Sequence, residues 1–269
     1  MTTQVQPAIS VRDVVVSYNG RRVLDRVSLD VHRGETMVLL GGSGSGKSTL
    51  LRQIIGLERP QSGQILIDGM DLAICKPREL KKIRRSIGVA FQNSALFNSM
   101  SVQDNIALPL REHTRLAEST IRLMTWMKLV VVGLSDAGEL SPQALSGGMK
   151  KRAAVARALA LDPEVLVFDE PSAGLDPIVA AELDELILGL KRAFSMTVVV
   201  VTHEMASAFR IADRIAMLYK GSLIAVGSKE DLQRSTHPHI RQFLDRVADP
   251  IATEAVGQHL QRYLDGSAI

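Results

Sequence analysis

The chain has 269 residues, 46% of them apolar and 23% charged, with a formal net charge of +3 and a single cysteine. That is enough for a full core in one or two domains of ordinary soluble composition, and the mild charge leaves no footprint for nucleic acid. Cys75 alone excludes an internal disulfide and fits a reducing compartment, and no apolar run approaches the roughly 18–20 residues of a spanning helix. Residues 1–7 are polar and lack the apolar stretch of a secretory signal.

Residues 9–18 and 23–32 alternate apolar and polar side chains around Asn19-Gly20, the strongest short-range hairpin signal. Tyr18, just before the turn, is either an aromatic that stacks on a purine or a cross-strand packing residue. The apolar run at residues 36–40 leads into Gly41, Gly42, Ser43, Gly44, Ser45, Gly46, Lys47, Ser48 and Thr49, and then into an apolar-rich stretch, residues 50–55. Strand, glycine-rich turn, helix is the order a phosphate-binding loop requires, and the spacing fits G-x-x-x-x-G-K-[ST]. The glycines let successive N–H groups point at one anion, and the helix start adds its dipole. The lysine reaches β- and γ-phosphates, and the hydroxyl after it ligates Mg²⁺. The pattern implies a bound nucleoside triphosphate.

Further on, residues 64–68 read as a short strand. Residues 76–85 are a dense basic run with Leu80, Ile83 and Ile87 at helical spacing, which marks a solvated helix face or one set against anionic headgroups. Residues 86–91 read as a strand ending at Gln92. Residues 94–109 carry exposed-looking Leu96, Phe97, Met100 and Val102. From 111 to 132, Leu116, Leu123, Met124, Met127 and Val131 recur near helical spacing, giving a helical insertion whose methionines and Trp126 are read as core. Residues 143–149 open a helix to residue 160. The continuous apolar run at 165–168 suits a buried parallel strand and ends in Asp169 and Glu170, at the strand end where open α/β sheets bind ligands. Asp176-Pro177 starts a helix to residue 194. Residues 196–201 form the next buried strand, followed by His203, a helix-start residue or a site residue at another strand end. A hairpin about Lys220-Gly221 and short helices at 229–234 and 240–247 complete an α/β chain with a parallel sheet.

Together these pieces resemble the ATP-binding cassette family over residues 9–245. The resemblance implies an α/β fold with a RecA-like, mostly parallel sheet core, an antiparallel β subdomain and a helical signature subdomain at about 93–160. The nucleotide-binding domain would be residues 1–245. It implies ATP and Mg²⁺, with phosphates on residues 41–49, adenine on Tyr18, and the metal at Ser48, Gln92 and Asp169. It gives Glu170 the role of general base or water-positioning acid, Gln92 a place near the metal and attacking water, and His203 a contact to the γ-phosphate. Leu145, Ser146, Gly147, Gly148 and Met149 match the signature, which in this family completes the site of the other subunit, and Asp176 ends the D-loop. A homodimer follows.

Met149 stands where most members have glutamine, which leaves the Ser146 hydroxyl and the glycine amides in place. With residues 91–97, 102–114 and 241–245 it resembles the Mla-type, MCE-linked phospholipid transporter ATPases. That implies a permease dimer, met by residues 94–109, an MCE-domain lipid-binding protein, and a small regulatory subunit on the helical insertion. The location implied is the cytoplasmic face of the inner membrane. Ala252, Ala255, Val256, Leu260, Tyr263 and Leu264 share one helical stripe, so residues 246–269 are expected to dock on a partner or pack on their own domain. Two alternatives remain: an ATPase for a small polar solute such as an amino acid, and a soluble cassette acting in DNA repair or translation. The second needs a long coiled-coil insertion or a second cassette, and the sequence has neither.

Overall fold

The computed structural model describes residues 6–247, so the stripe from Ala252 to Leu264 lies outside the described residues. Contacts divide the chain into a unit ending at Arg234 and a second beginning at Ser235. The described part of the second unit is one short helix, Pro238–Leu244.

The first unit opens with β1 (Ile9–Tyr18) and β2 (Arg21–Val31), paired antiparallel from Ile9 opposite Val31 to Tyr18 opposite Arg21. Asn19 and Gly20 both adopt positive φ at the turn, as a two-residue hairpin that matches strand twist demands. Strands β4 (Ser62–Ile67) and β5 (Met70–Asp71) extend this sheet in the order β2-β1-β4-β5.

The second sheet has the order β10-β9-β3-β8-β7-β6. Strands β3 (Thr36–Leu40), β6 (Ile87–Ala90), β7 (Val165–Asp169), β8 (Thr197–Thr202) and β9 (Arg214–Tyr219) run parallel, and β10 (Ser222–Gly227) returns antiparallel on the edge. Every residue of β3 and β8 is buried. Each fully buried Val or Leu contributes about 1.5–3 kcal/mol, so these central strands fix the frame from which the site hangs. Arg214 and Glu35, 3.1 Å apart, stitch β9 to the start of β3, and the same guanidinium donates to Asp30 O on β2 at 3.1 Å.

The connecting helices are α1 (Lys47–Ile54), α2 (Pro77–Arg85), α3 (Val102–His113), α4 (Glu118–Val131), α5 (Gly147–Ala158), α6 (Pro177–Phe194), α7 (Met205–Ile211) and α8 (Lys229–Arg234). Four expectations change. Val102, read as exposed-looking, is fully buried at the start of α3. The insertion read as one stretch from 111 is two helices, broken between His113 and Glu118. The helix expected from 143 to 160 starts at Gly147, after a separate 3₁₀ turn at Pro142–Ala144, and ends at Ala158. Trp126 and Met127, read as core, are 52% and 53% exposed. On α4 it is Ile121, Thr125 and Leu129 that face inward, while Leu123, Trp126, Met127 and Val130 form a second apolar stripe turned to solvent.

Candidate nucleotide site

The phosphate loop leaves the buried end of β3. Gly41 has φ +155°, and a Cβ there would stand 2.4 Å from Leu218 O, so the loop passes too close to β9 for any side chain. Gly46, at φ +105°, is the residue before α1, and no side chain caps that helix start. Its N-terminal amides are therefore available to an anion. Lys47 is buried, and its Nζ donates to Gly41 O at 2.8 Å and Gly42 O at 3.0 Å. Glu170 Oε1 lies 3.9 Å from the same nitrogen. Burial holds the Lys47 pKa below its usual value, opposed by Glu170 and Asp169. Ser48 is exposed at the loop's mouth.

Asp169 closes β7 opposite Val201, and Glu170 follows with its N–H donating to Val201 O at 2.8 Å. Glu170 has φ +47°, an uncommon conformation for a residue with a side chain. Its Oε2 sits 2.9 Å from His203 Nδ1 and accepts from His203 N at 3.3 Å. The two residues expected at neighbouring strand ends thus meet directly. Asp169 Oδ1 is buried without a hydrogen-bond partner. Burial raises the Asp169 pKa, Glu170 adds to the rise, and Arg52, Lys47 and Lys151 oppose it. A buried carboxylate oxygen left unpartnered is costly, and a hard cation is the partner that oxygen lacks. Ser48, Asp169 and Gln92 all offer oxygen, the donor type Mg²⁺ takes. Among the described residues no group of three or more His, Cys, Asp or Glu is arranged to hold a metal unaided. The residues present fit an ion shared with a nucleotide's phosphates rather than a cage built wholly from protein.

Tyr18 is 40% exposed and its hydroxyl donates to the Glu58 carboxylate, a bond that raises the Tyr18 pKa. The signature residues lie elsewhere. Ser146 precedes α5 and its Oγ accepts from Met149 N at 3.3 Å, a bond indifferent to the side chain at 149. Ser146 and Gly147 are exposed and Leu145 is buried beneath them. Among the described residues no hydrogen bond or ion pair joins residues 145–149 to the phosphate loop. Asp176 caps α6, its Oδ1 accepting from Ile178 N at 3.0 Å and Val179 N at 3.1 Å.

A family model described as ABC transporter matches residues 24–173. The chain belongs to the ABC transporter family. It is 43% identical over 249 residues, 93% of each chain, to the intermembrane phospholipid transport system ATP-binding protein MlaF of Escherichia coli K12. It is 45% identical over 238 residues, 88% of this chain and 69% of the relative, to the probable ribonucleotide transport ATP-binding protein mkl of Mycobacterium leprae. The dimeric structure of MJ0796, a bacterial ABC transporter cassette, matches with a TM-score of 0.76 at 33% identity, over 82% of this chain and 98% of that one. The same cassette in a post-hydrolysis dimer with ADP and Pi matches at 0.75 and 31% identity, with the same coverage. The chain is an ATP-binding and ATP-hydrolysing cassette of this family.

The ABC cassette also contains organising residues that its motifs do not name. Asn105 is fully buried, accepting from Phe97 N at 2.7 Å and donating to Phe97 O and Ser101 O at 3.0 and 2.9 Å. It holds the loop after Gln92 in shape. Arg157 donates to Ala95 O at 2.7 Å and Ser94 O at 2.8 Å, where both loop residues have positive φ. Lys151, nine-tenths buried, donates to Gln92 O at 2.6 Å and Glu170 O at 3.2 Å. A polar residue on the otherwise apolar buried face of a helix is the only signal in the sequence for Asn105 and Lys151. Arg111 pairs with Asp104 and Glu118, joining α3 to α4. This gives Leu-Arg-Glu-His-Thr, the 110–114 end of the stretch 102–114, a structural role apart from ATP chemistry.

Proposed function

We propose that this cassette powers a membrane transporter that moves phospholipid between membranes, closing as a homodimer around ATP. The carrying observation is the 43% identity to MlaF across 93% of both chains, which extends well beyond the nucleotide motifs. The relative named for ribonucleotide transport is matched over 69% of its length, and its name supplies the competing cargo.

The residue roles proposed with it are those the family resemblance implies, and the geometry supports them where it brings the residues together. Lys47 exchanges the Gly41 and Gly42 carbonyls for β- and γ-phosphate oxygens, which compensate its buried charge better than neutral carbonyls do. Ser48, Asp169 and Gln92 hold Mg²⁺, which when bound neutralises phosphate charge. Glu170 orients the attacking water and accepts its proton. His203 fixes the Glu170 carboxylate through Nδ1, which leaves Nε2, on the far side of the ring, for the γ-phosphate. Tyr18 stacks on adenine, and Ser146, Gly147 and Gly148 reach the partner protomer's nucleotide, with Leu145 and Met149 flanking them and Asp176 in the D-loop.

Two surfaces suit the partners. A cleft of about 720 Å³ is lined by Leu80, Val89, Phe91, Phe97 and Leu108 together with Lys81, Arg84 and Arg85. An apolar cleft that also carries basic side chains fits a permease's cytoplasmic helix beside anionic headgroups. Arg84 and Arg85 also donate to Gly56 O and His113 O, so part of the basic run is structural. The exposed stripe of α4 is the surface for a small regulatory subunit, since apolar patches of that kind mark protein contacts. No described helix is long and apolar enough to cross a membrane, so the proposed place on the cytoplasmic face of the inner membrane depends on the permease.

The test is purification from gently solubilised native membranes with the co-purifying chains identified by mass spectrometry. A multi-span permease with an MCE-domain protein is the expected result. A permease accompanied by a soluble solute-binding protein would overturn the phospholipid reading and leave the ATP chemistry untouched.

A further inference from the structure

The signature turn and the hydrolytic acid serve different nucleotides in a closed dimer, yet within one chain they are joined by a single side chain. Ser146 caps α5, and Lys151 lies on that helix a little over one turn further on. The Lys151 side chain runs inward to the ends of two adjacent strands. The register that sets Ala90 opposite Phe168 brings the chain after β6, with Gln92, beside the chain after β7, with Glu170. The ammonium bridges them, donating to Gln92 O at 2.6 Å and to Glu170 O at 3.2 Å. Arg157, lower on α5, grips the same loop at Ser94 O and Ala95 O. Gln92 is thus fastened by its main chain while its side chain stays exposed.

We propose that Lys151 is a positioning residue for ATP hydrolysis, pinning the Gln92 and Glu170 main chains to the signature helix so that movement of the signature turn resets the hydrolytic site of the same chain. Glu170 needs such a restraint. Its backbone sits at φ +47°, a conformation that persists only where surrounding contacts over-determine it. Charge-assisted bonds from an ammonium to carbonyls are shorter and stronger than neutral ones, and Lys151 is a buried residue. The simpler reading is that Lys151 merely satisfies two carbonyls near the core. That predicts a loss of fold and of nucleotide binding together. Positioning predicts a loss confined to the chemical step.

The inference rests on the role proposed for Glu170, so Glu170→Gln is measured alongside. The full chain, in the assembly in which it is isolated, is assayed for steady-state ATP hydrolysis and for equilibrium binding of a fluorescent ATP analogue. Lys151→Met keeps the length and removes donors and charge. Its kcat should fall about 10- to 100-fold, the loss expected for a charge-assisted bond, with KM and analogue affinity within about twofold of the parent. Lys151→Arg, which keeps charge and donors, should recover part of that loss. Should Lys151→Met yield no folded protein, Lys151→Gln carries the same comparison, with the charge removed and a neutral amide NH₂ left as donor. Parental kcat in Lys151→Met overturns the proposal, as does a parallel loss of affinity and turnover in the Met and Arg variants alike. Parental turnover in Glu170→Gln would instead overturn the base assignment, and it is read independently of the Lys151 series.

Discussion

A Cβ on Gly46 would stand 2.7 Å from Leu24 Cδ2 and 3.0 Å from Val23 O, on a backbone at φ +105°. A flexible Leu24 methyl can retreat, but the Val23 carbonyl belongs to β2 and cannot, and the dihedral penalty remains whatever moves. Gly46→Ala should cost about 1–3 kcal/mol in stability and remove nucleotide binding, because the loop amides can no longer converge on one anion. Thermal unfolding read beside binding of a fluorescent ATP analogue checks both, and parental affinity in this variant would show that the loop tolerates the turn. Lys47, Asp169 and Glu170 were legible in the sequence because the phosphate loop is one contiguous motif and the acids end an unbroken apolar strand. Lys151, Asn105 and Arg157 were not. Their partners are main-chain groups, and those of Lys151 lie 59 and 19 residues away, which no local pattern encodes.

Between elements, helix α6 meets α7 across a buried polar pair in which Ser207 Oγ donates to Asp184 Oδ1. Burial raises the Asp184 pKa despite that bond. An acid whose folded pKa exceeds its unfolded value binds its proton more tightly when folded, so stability falls as pH climbs through the window between the two values. Asp184→Asn keeps an oxygen for Ser207 and removes the buried charge. It should raise stability at pH 8 by about 1 kcal/mol, roughly 2–4 °C in melting temperature. The advantage should shrink as pH falls toward the folded-state pKa. Melts from pH 8 down to below 3.8, the ordinary value from which the Asp184 pKa is raised, decide it, and a difference unchanged across that whole range would remove the buried charge as the cause. At this scale the strands were read well, since their neighbours are set by short turns and continuous apolar runs. Helix α4 was misread for a physical reason: it carries two apolar stripes, and periodicity reports that stripes exist without reporting which one faces the core.

For the molecule as a whole, the decisive feature is the separation of two half-sites on one surface-exposed frame. Lys47, Asp169, Glu170 and His203 converge, while the helix start at Ser146 and Gly147 is exposed, with Met149 N held by the Ser146 hydroxyl. On the proposed function, one chain offers donors without their anion at the signature turn and an anion site short of donors at the phosphate loop. A second copy related by twofold symmetry would then supply both deficits at once, and MJ0796 is dimeric in its solved structures. Glu170→Gln, unable to hydrolyse, should accumulate with ATP and Mg²⁺ as a species of twice the chain's 29.3 kDa. Adding Ser146→Arg places a bulky side chain on the signature face without touching the phosphate loop, so this double variant should bind nucleotide yet stay monomeric. Multi-angle light scattering with and without ATP measures both, using the cassette purified apart from any permease. ATP-driven dimers in the double variant would remove the signature turn from the interface. Monomers in both variants, with nucleotide shown to be bound, would mean that ATP alone does not close this cassette.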